Sequence, residues 1–127
     1  MGARANVLAG LYIIVVEDDR DSRDILRMVL EYFGALVTTV ATAHEGLSML
    51  RAIDPSVVIV DMLLGKSDGM EVIREAHQRG TVAPFIAVSG KDLDPLELEG
   101  AVFAAYLRKP VDHERLVDTI LAIMRDR

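Results

Sequence analysis

The sequence predicts a single α/β domain, an open parallel sheet with helices packed on both faces. Three observations carry that prediction. The chain has 127 residues, 51% of them hydrophobic, which suits one core and is too short for two ordinary domains. Short apolar runs rich in branched residues alternate with stretches whose apolar residues recur at helical spacing. Several of those runs are continuous rather than alternating apolar and polar, as strands buried on both faces are.

Residues 1–10 read as a loose lead-in and residues 11–127 as the domain. Leu11 to Val16 is the first strand. Asp21 to Phe33 is a helix with Leu26, Val29, Leu30 and Phe33 on one face, and Gly34 stands where a left-handed residue would end it. Ala35 to Val40 is the second strand. Ala43 to Ile53 is the second helix, with Leu47 and Leu50 inward, opened by Thr42 and ended before Pro55. Val57 to Val60 is the third strand. Gly69 to Arg79 is the third helix, with Val72, Ile73 and Ala76 inward, capped by Ser67 or Asp68 and closed by Gly80. Phe85 to Val88 is the fourth strand. Asp94-Pro95 opens a short fourth helix, with Asp as cap and Pro at its first position. Ala104 to Leu107 is the fifth strand, and Asp112 opens a fifth helix with Leu116, Ile120 and Ile123 or Met124 inward. Right-handed crossovers leave few topologies for such a chain. They place a ligand site at the carboxyl ends of the strands, beside the point where strand order reverses.

Composition excludes several classes of function. Fourteen Lys and Arg against twenty Asp and Glu give a net charge of −6, which argues against nucleic acid or an anionic membrane as a direct partner. With no cysteine there is no disulfide, thiolate metal site or cysteine nucleophile. Aromatic residues are 5% and Trp is absent, which argues against a stacking platform for single-stranded nucleic acid. The apolar stretch from Ala5 to Val16 is broken by Asn6 and Gly10 and ends in Glu17-Asp18-Asp19, unlike a signal peptide. No apolar run approaches the ~18 residues of a membrane-spanning helix. The expected protein is soluble and cytoplasmic.

The informative residues stand at the predicted strand ends. The first strand ends in Glu17-Asp18, the third in Asp61, the fourth in Ser89-Gly90 and the fifth in Lys109-Pro110. Read alone, Glu17-Asp18-Asp19 would be acids favouring a helix N-terminus, and Lys109 a solvated lysine. Together they bring three carboxylates, a hydroxyl and an ammonium to one edge of the sheet. The first and third strands should be neighbours, which brings Asp18 and Asp61 close. Two like charges about 4 Å apart repel by about 4 kcal/mol at an effective dielectric of 20, so the cluster needs a proton, a cation or both. Hard oxygen ligands suit Mg²⁺, with Mn²⁺ as a substitute. Zinc is disfavoured because His44, His77 and His113 are scattered away from the strand ends.

Four segments, in order and at these spacings, resemble the receiver domain of two-component response regulators, the family of the chemotaxis response regulator. They are Ile-Val-Val-Glu-Asp-Asp at 14–19, Val-Ile-Val-Asp at 58–61 with Asp68-Gly69 downstream, Val-Ser-Gly at 88–90 and Tyr-Leu-Arg-Lys-Pro at 106–110. The resemblance implies a flavodoxin-like, doubly wound sheet of five parallel strands in the order 2-1-3-4-5, with five helices. It implies that Asp61 is the phosphoacceptor, a carboxylate nucleophile that takes a phosphoryl group from a phosphohistidine. Asp18 and Asp61 would be direct metal ligands, the Leu63 backbone carbonyl a third, and Glu17 a ligand through water. Lys109 would pair with Asp61 and the phosphoryl oxygens, and Ser89 would hydrogen-bond the phosphoryl group, with Gly90 leaving it room. Tyr106 would be the aromatic that moves with Ser89. The resemblance also favours a cis Lys109–Pro110 bond.

The implied partners are a sensor histidine kinase or histidine phosphotransfer protein, and a downstream protein met by the face of the fourth helix, fifth strand and fifth helix. A monomer or weak homodimer fits that surface. Gly65 stands where many receivers have Pro, and Val102 where Gly is common, while the Ser89 to Tyr106 segment is about two residues short. Leu63 and Lys91, each two residues past a site residue, are candidates for tuning the acyl-phosphate lifetime. The expected function is therefore a phosphorylation-controlled switch with self-phosphorylation and autodephosphorylation as its only catalysis. Alternatives are a phosphorelay intermediate, a receiver cut from a longer regulator, and a phosphate-independent interaction module of the same fold. An aspartyl-phosphate phosphatase is disfavoured because Met62-Leu63 follows Asp61 where an Asp-x-Asp pattern is needed. A dinucleotide enzyme lacks its G-x-G-x-x-G turn.

Overall fold

The computed structural model describes residues 4–64, 67–91 and 103–127. The elements are β1 (Tyr12–Val16), α1 (Arg20–Tyr32), β2 (Leu36–Val40), α2 (Ala43–Ala52) and β3 (Val57–Asp61). Then come β4 (Leu63–Leu64), β5 (Ser67–Asp68), α3 (Gly69–Gln78), β6 (Phe85–Ser89), β7 (Ala105–Arg108) and α4 (His113–Arg125). The main sheet is parallel throughout, in the order β2-β1-β3-β6-β7. Counting only its own five strands, that is 2-1-3-4-5, the doubly wound order expected.

Two details of element content differ from the sequence reading. β4 and β5 form a separate antiparallel pair, Leu63 opposite Asp68 and Leu64 opposite Ser67, too short to leave a periodic signal. Four helices are found among the described residues, not five. The helix expected from Asp94-Pro95 lies outside the described residues, as do Gly65 and Val102.

Strand residues alternate between two cores because successive side chains point to opposite faces. Ile13, Val15, Val57, Ile59, Ile86 and Val88 pack on one face against Leu26 and Leu30 of α1 and Leu116, Val117 and Ile120 of α4. Ile14, Val16, Val58, Val60, Phe85 and Ala87 pack on the other against Val72, Ile73 and Ala76 of α3. Each such aliphatic side chain contributes about 1.5–3 kcal/mol when fully buried. On α2 the expected Leu47 and Leu50 are only partly buried. The helix instead approaches the sheet through Gly46, where an added Cβ would lie 3.0 Å from a Val16 methyl.

The caps follow the sequence. Thr42 accepts from the Glu45 N–H, and Asp112 from the Glu114 N–H. α1 begins earlier than expected because Asp19 is its cap, accepting from the Ser22 N–H at 2.9 Å. The expectation of a loose lead-in fails within residues 4–10. Leu8 is fully buried and its N–H donates to the Phe33 carbonyl at 2.8 Å. Gly34, at φ +103°, permits the close approach: a Cβ there would sit 2.9 Å from the Asn6 Cα. Arg4 closes the packing with ion pairs to Glu114 and Asp118 on α4.

Candidate functional site

β1 and β3 run side by side with Val16 opposite Val60, so Glu17 and Asp61 follow as the next residues of neighbouring strands. Glu17, Asp18 and Asp61 each place a carboxylate oxygen within 4.8 Å of the others. This trio contains no histidine, and among the described residues it is the one cluster with metal-ligating character. Glu17 and Asp61 are buried and Asp18 is exposed. Lys109, just past β7, sends its Nζ to Glu17 Oε1 at 2.8 Å and to Asp61 Oδ2 at 3.0 Å. Four of the expected site residues thus meet, as three acids around one ammonium.

Such a cluster needs strong local support. Asp61 Oδ1 accepts the Leu63 N–H at 3.0 Å and Glu17 Oε2 accepts the Asp19 N–H at 3.1 Å. Among the described residues no buried side-chain nitrogen or oxygen lacks a hydrogen-bond partner. Burial pushes the Glu17 carboxyl up to about 6, with Asp61 adding to the rise and Lys109 and the Asp19 amide opposing it. For Lys109, burial works against the charged form, but its bonds to Glu17 and Asp61 outweigh it and raise its pKa. The ammonium therefore stays protonated at neutral pH, and the site carries an excess of negative charge that a divalent cation could balance. The donor set, carboxylates alone, fits a hard cation.

Ser89 ends β6, buried, with its Oγ accepting the Lys91 N–H at 3.3 Å and its carbonyl accepting the Lys109 N–H at 2.8 Å. Tyr106 is partly buried against the α2/α3-side core, and its hydroxyl donates to the Lys91 carbonyl. The Lys91 backbone is thus held at its amide by Ser89 and at its carbonyl by Tyr106. The Lys109–Pro110 bond is cis. A cleft of about 440 Å³ opens beside Glu17 and Lys109, between Ile25 and Leu26 of α1 and Pro110 and His113.

Sequence reasoning missed three contributors. Leu63 contributes its amide to Asp61, beside the metal contact expected of its carbonyl. Gly69 packs so close under the loop that a Cβ would sit 2.3 Å from the Asp61 carbonyl oxygen. Arg23 donates to the carbonyls of Glu17 and Asp18. Only Gly69 has a visible signal, the Asp68-Gly69 pair, which enters the sequence reading as part of the resemblance, with Asp68 a candidate helix cap.

Comparison with known proteins places this geometry. An uncharacterized 14.6 kDa protein of Leptolyngbya boryana is 37% identical over 87% of this chain and 87% of its own length. Response regulator MprA of Mycolicibacterium vanbaalenii is 30% identical over 89% of this chain and 50% of its own length. The uncharacterized transcriptional regulatory protein YkoG of Bacillus subtilis is 31% identical over 90% and 51%. The chain therefore spans about half the length of those two regulators. Among solved structures, a CheY-like response regulator receiver domain from Methanospirillum hungatei is 27% identical with a TM-score of 0.85, covering 91% of this chain and 94% of that one. The receiver domain of sensor histidine kinase PA1611 from Pseudomonas aeruginosa, with a magnesium ion coordinated in its active site cleft, is 24% identical with a TM-score of 0.82, covering 90% and 97%. The family model of the response regulator receiver domain matches residues 13–121, and to that family the chain belongs.

Proposed function

We propose that this receiver accepts a phosphoryl group on Asp61 from a phosphohistidine, and that the resulting charge switches its contacts with a downstream protein. The observation that carries the reading is Lys109 donating to both Glu17 and Asp61 beside the exposed Asp18. A carboxylate oxygen of Asp61 attacks phosphorus, an O–P bond forms, the N–P bond breaks, and the imidazole leaves with the electron pair. The protein's part is positioning and charge neutralisation. The Leu63 N–H and Lys109 orient Asp61, and Lys109 also meets the charge gathering on the phosphoryl oxygens.

Asp18, Asp61 and the Leu63 carbonyl would hold Mg²⁺, or Mn²⁺ in its place, with Glu17 reaching it through water. Bound there, the ion supplies positive charge to the transferring group. The magnesium in the Pseudomonas receiver's active site cleft supports this choice. Ser89 then hydrogen-bonds the new phosphoryl group. In turning toward it, Ser89 gives up the Lys91 N–H, which loosens the residue whose carbonyl Tyr106 holds. A phosphoryl group adds about −1.5 to −2 charges, and a shift from 1:99 to 99:1 needs ~5.5 kcal/mol of differential binding. The readout face includes Tyr106, β7 and α4.

The donor is a sensor histidine kinase or histidine phosphotransfer protein, in the cytoplasm, and the only catalysis is the chain's own phosphorylation and hydrolysis. Among the described residues no helix is long and apolar enough to cross a membrane. Intact-mass measurement after acetyl phosphate treatment tests the reading. One phosphoryl addition is expected with Mg²⁺ and none with EDTA or in Asp61→Asn. Equal labelling of Asp61→Asn moves the acceptor elsewhere.

A further inference from the structure

We propose that Arg23 is a positioning residue for the acidic site, fixing the backbone from which Glu17 and Asp18 present their carboxylates. The inference rests on the cation reading above. Arg23 lies in the first turns of α1, and its N–H bonds the carbonyl of the cap residue Asp19 at 2.9 Å. Helical side chains lean toward the helix N-terminus, so its guanidinium folds back over the first turn toward the end of β1. There a single nitrogen, Nη1, donates to the Glu17 carbonyl at 3.0 Å and the Asp18 carbonyl at 3.2 Å.

Those two residues span the gap between sheet and helix. The Glu17 N–H is still held by the Val40 carbonyl at 3.0 Å, and Asp19 already caps α1. Between these anchors the direction of the Asp18 side chain depends on how the two peptide planes are set, and the guanidinium sets both. Lys109 acts on the carboxylates themselves and would share them with a cation. Among the described residues the Arg23 guanidinium hydrogen-bonds backbone carbonyl oxygens and attracts the capping carboxylate of Asp19, so it orders the acids without consuming an oxygen of Glu17, Asp18 or Asp61 that a cation would use. Groups that orient ligands in this way change metal affinity by about 10–100-fold when removed.

The test uses the full chain with Arg23→Gln and Arg23→Lys. Mg²⁺ affinity is measured by calorimetry, and amide hydrogen exchange is followed without metal. Arg23→Gln is expected to weaken Mg²⁺ binding about tenfold and to speed exchange at the Asp18 and Asp19 amides. Arg23→Lys restores most of both, because one nitrogen serves both carbonyls. Mg²⁺ affinity unchanged in Arg23→Gln, whatever its melting temperature, overturns the proposal. Should the glutamine variant not fold, the lysine variant decides: faster exchange at Asp18 and Asp19 with unaltered Mg²⁺ affinity overturns it equally. If the wild type binds no Mg²⁺, the cation reading falls, and the positioning role is then refuted by unchanged metal-free exchange at those two amides.

Discussion

Replacing Lys109 by Met removes the charge that holds the site together while keeping much of the side chain's length and apolar stem. The Glu17 and Asp61 side chains it leaves behind are only 2% and 7% exposed. Breaking a buried pair by removing one partner costs about 3–5 kcal/mol. Lys109 itself is 30% exposed, which lets water reach part of the pair, so the expected loss is about 2–3 kcal/mol at pH 7.5 without divalent cation. For a chain of this length that lowers Tm by roughly 6–15 °C.

The loss should depend on pH, with a definite sign. Glu17 in the folded wild type titrates near 6, above the ordinary value of 4.5. Folded protein therefore binds its proton more tightly than unfolded chain. This group's contribution is most favourable below about 4.5 and declines, by up to about 2 kcal/mol, as pH rises through 6. Without Lys109 that carboxyl rises further, so the gap between variant and wild type narrows as pH falls toward 5. Thermal unfolding in EDTA from pH 5 to 8, repeated with Mg²⁺, measures both effects. Mg²⁺ should stabilise the variant more than the wild type, because it supplies the missing positive charge. A Tm equal to wild type at pH 7.5, or a gap constant across the pH range, would refute the reasoning.

Two further substitutions probe the same site. Mg²⁺ should raise the Tm of wild type more than that of Asp18→Ala, and equal shifts would remove Asp18 from the metal site. Gly69→Ala puts a Cβ 2.3 Å from the Asp61 carbonyl oxygen and 2.7 Å from the Met62 Cα. Backbone must move to admit it, costing about 1–3 kcal/mol and slowing acetyl phosphate labelling of Asp61. Labelling at the wild-type rate would show that the loop yields without disturbing the acceptor.

What the sequence made legible follows from where each signal comes from. β1, β3 and β6 are central strands buried on both faces, so their apolar runs stand out. β2 and β7 are sheet edges with mixed burial, and their starts, like that of β1, fall one residue later than expected. Thr42 and Asp112 were readable as caps because a helix N-terminus asks for those residue types, whereas Asp19 was hidden inside the acidic motif. Leu8 was not readable: one buried leucine among ten residues has no period, and its burial depends on Gly34 and Phe33, distant in sequence. Arg23 and the Leu63 amide were invisible for the same reason, since both act through backbone geometry. Glu17, Asp18, Asp61 and Lys109 were legible because they are polar residues placed where apolar strands end.

Their meeting follows from strand order. Neighbouring strands lie about 4.8 Å apart, so Glu17 and Asp61, at the ends of adjacent β1 and β3, are one spacing from each other. β7 is separated from β3 by β6, so a cation at its end must cross two spacings, about 10 Å. Asp or Asn could not bridge that distance, whereas the four-carbon stem of Lys can. The strand between ends in Ser89, whose small side chain is buried. Val88 lies opposite both Asp61 and Leu107, two residues before Lys109, so the register brings the end of β7 level with the acids. Exchange the positions of β6 and β7 and the same residues would still end their strands, but Ser89 rather than Lys109 would take the longer reach. The ion-pair geometry is therefore a property of the 2-1-3-4-5 order as much as of the residues, which is why motif spacing and topology had to be read together.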